Sequence, residues 1–258
     1  MTTLIHPTAI VHKDAQLADG VKVGPFAIID ARVTVGEGTE IGPYVNLTGH
    51  TTLGKRNRIF SGAVVGSEPQ DVKYYGEETT LEIGDENVIR EHVTLNPGTG
   101  EGSKTVVGNG NWFMVGVHIA HNCVIGNNVK LANLVTLAGH IRIDDYAIIG
   151  GLTPLHQFVR IGKYAMVGGG LRVPMDITPF MMAAGEPITI SGLNQVGLER
   201  NGFTPERLKV LKDAYRVIFR KSLTLKESLA ALQKDFPQNE DITYLLEFLS
   251  TSSRGITR

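Results

Sequence analysis

The sequence predicts an all-β protein, a parallel β-helix of hexapeptide repeats followed by a small C-terminal α-helical domain. Three observations predict it. A large apolar residue, aliphatic except at Phe113, recurs at every sixth position from Ile5 to Val173 with two interruptions. A small or β-branched residue often follows four positions later, and the periodicity becomes helical near residue 203.

The six-residue period begins at Ile5 and holds for eleven successive positions, each of which is Ile, Val or Leu. If about a third of residues are large and apolar, such a run has a chance probability of about one in 10⁵. The same phase resumes at residues 83–95 and again at 107–173. The first run is Ile5, Val11, Leu17, Val23, Ile29, Val35, Ile41, Leu47, Leu53, Ile59 and Val65.

A hexad with one large and one small inward position describes a short strand that ends in a corner. Stacked coils of such strands form a parallel β-helix, with neighbouring strands about 4.8 Å apart. Hexads of this kind resemble those of left-handed β-helix proteins, in which three successive hexads make one coil. That resemblance, and not the period, predicts the left hand.

Two polar, turn-rich segments interrupt the repeat near residues 67–80 (SEPQDVKYYGEETT) and 96–105 (NPGTGEGSKT). They place Asp71, Glu77 and Glu101 at positions where the repeat requires an aliphatic residue. We expect both to leave the coil as loops. Such loops often determine the specificity of a repeat scaffold, and simple decoration of the coil is the alternative.

We expect the β-helix to occupy residues 1–187 and the helical domain residues 188–258. Thr204 and Pro205 have the residue types that begin a helix, TLKE at 224–227 is a capping box, and residues 240–250 predict a third helix. The first of these helices is basic, which suits either a solvated face or a docking surface for an acidic carrier protein. Its basic residues are Arg207, Lys209, Lys212, Arg216, Arg220 and Lys221.

Composition narrows the function classes. A net charge of −1 gives no reason to expect nucleic-acid binding. The sequence has no apolar run of about 18 residues and no signal-peptide pattern at its start, so we expect a cytoplasmic protein without stable membrane insertion. The single cysteine, Cys123, fits a reducing compartment. It lies two residues after His121, and a nucleophilic role for it is the less favoured interpretation.

Stacking the chain with three hexads per coil gathers several histidines that are distant along the sequence. His121 stacks under Gly139, and the glycine and alanine neighbours leave room for a ligand. The side chains brought to adjacent columns over three successive coils are His121, His140, His156 and Gln157, with His118 one corner away.

Three interpretations of this cluster are open. The histidines could be surface residues on a polar edge. They could be zinc ligands, as in trimeric β-helix carbonic anhydrases, although no supporting carboxylate is evident around VHIAHNC. Alternatively, one imidazole is a general base that takes a proton from an alcohol while its neighbours hold a polar substrate, which suits acyl transfer.

Several motifs, in order along the chain, resemble those of the UDP-N-acetylglucosamine acyltransferase family over essentially the whole length. They are DVKYYGEET (71–79), NVIREHVTLNPGT (87–99), HIAH (118–121), LAGH (137–140), IIGG (148–151), HQF (156–158), RNGF (200–203) and TSSRGITR (251–258). The resemblance implies a homotrimer that moves a 3-hydroxyacyl chain from acyl carrier protein to the 3-hydroxyl of UDP-N-acetylglucosamine. This is the first acylation of lipid A biosynthesis, and it implies no cofactor.

The resemblance also implies roles for individual residues. His121 would be the general base and the Gly139 N–H the oxyanion donor. Gly169 would set the acyl length, and a glycine there predicts space for a longer chain. The implied substrate contacts are His118, His140, His156 and Gln157; Asp71 and Lys73 for the sugar, acyl or pantetheine groups; and Asn194 and Arg200 for the nucleotide.

Three positions depart from the family pattern. Asn122 stands where Asp is frequent, Val196 where Glu is usual, and Asn201 where a second basic residue follows Arg200. An asparagine orients an imidazole without giving charge support to its protonated form. The departures near the nucleotide leave a 3-amino sugar acceptor, which would give an amide, as an alternative to the hydroxyl.

Overall fold

The computed structural model describes residues 2–258 and consists mainly of two-residue strands separated by corners. The strands before the interruptions are β1 (Leu4–Ile5), β2 (Ile10–Val11), β3 (Gln16–Leu17), β4 (Lys22–Val23), β5 (Ile28–Ile29), β6 (Thr34–Val35), β7 (Glu40–Ile41), β8 (Asn46–Leu47), β9 (Thr51–Leu53), β10 (Arg58–Ile59) and β11 (Val64–Val65). Around the interruptions lie β12 (Thr80–Ile83), β13 (Val88–Ile89), β14 (Thr94–Leu95) and β15 (Lys104–Val107). The remaining strands are β16 (Trp112–Phe113), β17 (His118–Ile119), β18 (Val124–Ile125), β19 (Lys130–Leu131), β20 (Thr136–Leu137), β21 (Arg142–Ile143), β22 (Ile148–Ile149), β23 (Pro154–Leu155), β24 (Arg160–Ile161), β25 (Met166–Val167), β26 (Met181–Ala184) and β27 (Thr189–Leu193).

From β1 to β25 every third strand belongs to the same sheet, so three sheets of parallel strands form the faces of a prism. In the described residues, the first sheet runs β1-β4-β7-β10-β13-β16-β19-β22-β25-β26-β27. The second runs β2-β5-β8-β11-β14-β17-β20-β23 and the third β3-β6-β9-β12-β15-β18-β21-β24. The register advances by one coil of three hexads, as in the pairing of Leu4 with Lys22. The predicted parallel β-helix is confirmed.

The two interruptions appear as register steps longer than one coil of three hexads. Val64 pairs with Thr94 across the first interruption, and Thr94 pairs with His118 across the second. Residues 66–79 and 96–103 contain no strand. We call these segments the first and second excursions. They leave the coil without disturbing the pairing on either side, because extra residues are accommodated outside the ladder.

The prism interior is filled by the large and small positions of the hexad. The aliphatic positions from Val23 onward are buried, and so are small positions such as Ala27, Thr39 and Ala63. Three small positions hold Asn57, Asn87 and Asn111, also buried. Their amides run along the corner, since the Asn57 Oδ1 accepts from the Asn87 N–H (2.8 Å) and the Asn87 Oδ1 from the Asn111 N–H (2.9 Å). These bonds satisfy polar groups that the apolar pattern did not predict.

The β-helix ends in two longer strands that do not follow the hexapeptide repeat. The strand β26 adds in parallel to β25, and β27 folds back antiparallel on β26 with a register shift between Met182 and Ala183. Four helices follow, which are α1 (Gln195–Arg200), α2 (Pro205–Phe219), α3 (Leu225–Asp235) and α4 (Glu240–Ser250). The Thr204 N-cap and the Thr224–Glu227 capping box are confirmed, whereas the sequence did not predict α1. The domain division at residue 188 stays a prediction.

The helices pack on the last coils through polar contacts as well as an apolar core. The Tyr244 hydroxyl donates to Asp144 Oδ2 (2.5 Å) and accepts from the Lys163 N–H (3.1 Å). Asp176, which is buried, accepts from the Arg160 N–H and from the Ser252 hydroxyl. Burial raises the pKa of the Asp176 carboxyl. No helix within residues 2–258 combines the length and the apolar character that crossing a membrane requires.

Candidate active site

His121 lies at a corner of the prism, immediately after the coil leaves β17. The following residue, Asn122, has a positive φ of 58°, as do its stacked equivalents His140 (59°) and Phe158 (64°). This left-handed conformation turns the chain sharply, so the corner side chains of successive coils form a column. The His140 N–H donates to the His121 carbonyl across coils, at 3.0 Å. The predicted placement of His121 and His140 in adjacent columns of successive coils is therefore confirmed.

The Nδ1 side of His121 is held by Asn122 and the second excursion. Asn122 Oδ1 lies 2.7 Å from His121 Nδ1 and accepts from the Thr99 N–H at 2.9 Å. Because a backbone N–H can only donate, the Asn122 atom that faces it is the oxygen. His121 must then donate from Nδ1 to that oxygen, which leaves the lone pair of the neutral ring on Nε2. Nε2 is the basic nitrogen.

The Nε2 side of His121 faces the first excursion. Asp71 Oδ2 lies 3.6 Å from Nε2, and the His121 side chain is only 8% exposed. The other carboxylate oxygen, Oδ1, accepts from the Lys73 N–H at 3.0 Å, which orients the group. A carboxylate at this position repels the lone pair on Nε2 of the neutral ring. It stabilises the ring once Nε2 has taken up a proton. Asp71 can therefore supply the negative charge that the neutral Asn122 lacks.

Gly139 leaves the space that the His121 ring occupies. A Cβ built on Gly139 would lie 2.4 Å from His121 Cε1 and 2.5 Å from Nε2, so any larger residue displaces the ring. The coil ladder uses the N–H groups of Ala138 and His140, and no acceptor for the Gly139 N–H lies within residues 2–258. The His121 ring thus has beside it a backbone N–H that lacks an acceptor among the described residues, the arrangement that an oxyanion site requires.

His118 and His140 flank His121 and differ from each other in burial. His118 Nδ1 lies 2.7 Å from the Thr94 hydroxyl of the preceding coil. Burial lowers the pKa of His118, and the neighbouring His121 lowers it further. The His140 ring is exposed, meets His121 edge to face at 5.1 Å between centroids, and stacks on Phe158 at 4.8 Å. Desolvation again lowers the pKa of His140, with His121 adding to the effect.

The other expected substrate contacts lie farther along the surface. Lys73, His156, Gln157 and Gly169 are exposed, the first on the first excursion and the others on the two coils that follow His140. His156 Nδ1 lies 3.2 Å from the Gln157 carbonyl. Their exposure leaves these side chains available to a ligand, and their roles stay predictions.

The two residues expected at the nucleotide have different surroundings. Asn194 is buried and caps α1, accepting from the Gly197 N–H (3.2 Å) while its amide donates to the Tyr164 carbonyl (2.9 Å). Its side chain therefore has a structural role besides the expected one. Arg200 is exposed in the last turn of α1. The departure Asn201 ends this helix, with its amide donating to the Gly197 carbonyl at 2.7 Å.

The sequence does not indicate which residues hold the rings of His121 and His118. Thr99 fixes Asn122 beside His121, and Thr94 contacts His118, but neither gives a local signal because these contacts cross between coils and excursions. Asn122 could be identified only because it directly follows His121 in the sequence. Cys123 points into the prism instead, where burial raises the pKa of its thiol to about 12 and its Sγ donates to the Ala138 carbonyl. A thiol that remains protonated is a poor nucleophile. The environment of Cys123 therefore disfavours a catalytic role, in agreement with the interpretation that the sequence favours.

The zinc interpretation finds no support in the side-chain geometry. Across residues 2–258, no three or more His, Cys, Asp or Glu side chains converge in a way that could hold a metal ion. The histidines instead bond to Asn122 and Thr94 or stack on Phe158.

Two family models and several sequence relatives match this chain. Residues 104–139 match the bacterial transferase hexapeptide family, and residues 176–257 match the second domain of UDP-N-acetylglucosamine O-acyltransferase. The chain is 50% identical to the acyl-[acyl-carrier-protein]–UDP-N-acetylglucosamine O-acyltransferase of Thiobacillus denitrificans, over 98% of this chain and 99% of the relative. The relatives are O-acyltransferases, so the amide alternative gains no support from them.

Solved structures agree with the sequence relatives. The UDP-N-acetylglucosamine acyltransferase of Bacteroides fragilis matches with a TM-score of 0.96 and 42% identity, covering 99% of this chain and 100% of that one. The Francisella novicida enzyme matches with a TM-score of 0.95 and 41% identity, covering 99% and 94%. The predicted left-handed β-helix with C-terminal helices is confirmed. The chain belongs to the UDP-N-acetylglucosamine O-acyltransferase family.

Proposed function

We propose that this protein transfers a 3-hydroxyacyl chain from acyl carrier protein to the 3-hydroxyl of UDP-N-acetylglucosamine, the first acylation of lipid A biosynthesis. The observation that carries the proposal is the orientation of His121. Its Nδ1 donates to Asn122 Oδ1 at 2.7 Å, and its basic Nε2 lies above Gly139. Family membership supplies the substrate classes, since the relatives are acyl-carrier-dependent O-acyltransferases.

The chemistry follows from these groups. Nε2 of His121 takes the proton of the sugar hydroxyl as its oxygen attacks the thioester carbonyl carbon, and the Gly139 N–H donates to the oxyanion. Collapse of the tetrahedral intermediate breaks the C–S bond. The imidazolium returns its proton to the departing thiolate, which gives an ester and the free carrier thiol. Asp71, 3.6 Å from Nε2, stabilises the imidazolium between these steps.

The remaining site residues take their roles from position and exposure. We infer that His118, His140, His156 and Gln157 contact the substrates along the prism edge, with Lys73 on the first excursion. Asn194 and Arg200 would contact the nucleotide, where the guanidinium suits a phosphate. Gly169 adds no side chain beside the expected acyl path, which favours a longer chain.

We also infer a cytoplasmic homotrimer that needs no cofactor besides the pantetheine of the carrier protein. At the tip of the first excursion, Val72 and Tyr75 are 90% and 91% exposed. Contact with a second copy of the chain would cover these apolar side chains beside the site. The basic surface of α2 would receive the acidic carrier protein.

A transfer assay tests the proposal. The purified protein is given UDP-N-acetylglucosamine or its 3-amino analogue, each with a series of 3-hydroxyacyl carrier proteins. We expect ester formation on the hydroxyl sugar, faster with fourteen carbons than with ten because Gly169 leaves space. Transfer only to the amine would overturn the acceptor assignment, and a preference for ten carbons would overturn the role of Gly169.

A further inference from the structure

The side chain of Glu77 joins the tips of the two excursions. Its Oε2 accepts from the Tyr75 N–H of the first excursion at 2.8 Å, and its Oε1 accepts from the Gly100 N–H of the second at 2.8 Å. The Tyr75 N–H, the Glu77 N–H and the Gly100 N–H lower the pKa of this carboxyl, so it is ionised at neutral pH. A charged acceptor with a backbone donor on each oxygen is a firm link between two loops.

Each excursion that Glu77 joins holds a different side of the His121 ring. The first carries Asp71, which faces Nε2 at 3.6 Å. The second carries Thr99, whose N–H fixes the Asn122 oxygen that receives Nδ1. Thr99 precedes Gly100, so the Glu77 bond lies one residue from the N–H that fixes the ring.

We propose that Glu77 is a positioning residue for the catalytic base. By fixing the first excursion against the second, it sets Asp71 and Thr99 at the distances that hold His121 in one tautomer and one orientation. The inference deepens the proposed transfer reaction and rests on it. A base displaced by about 1 Å loses up to about 10² in rate, so a link between loops can affect turnover without touching the substrate.

The other links between the excursions lie away from their tips or use backbone groups. The buried Asn96 donates to the Ser67 and Glu68 carbonyls where the excursions leave the coil. The Glu78 carbonyl accepts from the Gly102 N–H at 2.9 Å. These bonds persist when the Glu77 side chain changes, so a Glu77 variant loosens the tips and keeps the fold.

The adjacent residue provides a matched control. The Glu78 side chain is exposed and pairs with Arg32 on the coil surface. Glu77→Gln keeps the size of the side chain but turns one acceptor into an amide N–H₂ that faces a donor. We expect kcat to fall about tenfold in Glu77→Gln and to stay within about twofold of wild type in Glu78→Gln. Glu77→Asp, which keeps the charge but is shorter, should give an intermediate loss and serves if Glu77→Gln does not fold.

A double-mutant cycle separates positioning from general loosening of the structure. Asn122→Gly removes the amide that links Thr99 to the ring and tolerates the positive φ at this position. In that background we expect Glu77→Gln to lower kcat clearly less than the tenfold loss in wild type, because the route through Thr99 is already broken and only the route through Asp71 remains. A full tenfold loss in both backgrounds would overturn the proposal.

A spectroscopic measurement decides the proposal without activity. Long-range ¹H–¹⁵N spectra of the histidine-labelled full chain report which ring nitrogen carries the proton, and His121→Ala identifies the signal. At about pH 8, wild type and Glu78→Gln should show the Nδ1–H form, and Glu77→Gln a mixture of the two neutral tautomers. An unchanged Nδ1–H spectrum in Glu77→Gln overturns the role of Glu77. Absence of transfer by wild type, with the spectral change present, overturns the proposed function instead.

Discussion

The uninterrupted coils after Val107 and the coils that carry the excursions contribute differently to the site. In the former, each strand pairs with the strand one coil later, as Val124 pairs with Arg142 and Ile148 pairs with Met166. This regularity places Gly139 and His140 directly over His121 and Asn122. In the latter, the register takes longer steps, and the extra chain carries Asp71 and Thr99 to the His121 ring. Regular coils place His121, the proposed base, and the excursions hold its ring.

Replacing His121, the proposed base, tests the contribution of the regular coils most directly. His121→Ala keeps the coil but removes the group that takes the proton, so kcat should fall by about 10²–10⁴-fold. The assay is steady-state transfer to UDP-N-acetylglucosamine, with circular dichroism to verify folding. His12→Ala, an exposed histidine of the first coils, is the control and should retain activity. A kcat of His121→Ala near that of wild type would show that His121 is not the general base.

A smaller effect tests the contribution of coil packing to the site. In Gly139→Ala the new Cβ would approach His121 Cε1 to 2.4 Å, so the ring must move from its place beside the excursions. We expect kcat to fall by about 10- to 100-fold, while the backbone N–H of residue 139 is retained. Gly192→Ala, where a Cβ meets nothing within 4 Å, should leave kcat unchanged. Equal activity of the two variants would show that the ring position does not depend on the glycine.

The same contrast explains how much the sequence could predict. The hexad period is a local signal repeated many times, so the prism, its interior and the stacking of His121 on Gly139 follow from counting residues. The helix starts at Thr204 and Thr224 were also predictable, because caps depend on neighbouring residues. The antiparallel return of β27 and the helix α1 were not, since neither follows the repeat and α1, with six residues and one buried side chain, is too short to show a helical period.

The excursions could be located but their contacts could not. Their polar composition marked where the chain leaves the coil, yet no period relates Thr99 to Asn122 or Glu77 to Gly100. From the sequence alone, Asn122 is a departure from the family pattern that gives a protonated imidazole no charge support. In the structure Asp71 lies at the opposite nitrogen of the His121 ring, where its negative charge can stabilise the protonated imidazole that Asn122 cannot.

The smallest expected effect concerns His118, which links an uninterrupted coil to an excursion-bearing one through Thr94. Burial lowers the pKa of His118 in the folded protein below its value in the unfolded chain, about 6.5. The unfolded chain then binds the proton more readily, so this contribution to stability is present above about pH 6.5 and is lost as the pH falls toward the folded-state pKa. His118→Gln, which can still bond to the Thr94 hydroxyl, should therefore reduce the drop in Tm between about pH 7.5 and pH 5 by about 1–3 °C. Thermal melting across this pH range checks the expectation, and parallel Tm curves for wild type and variant would show that the ring between the two coils titrates as freely in the folded protein as in the unfolded chain.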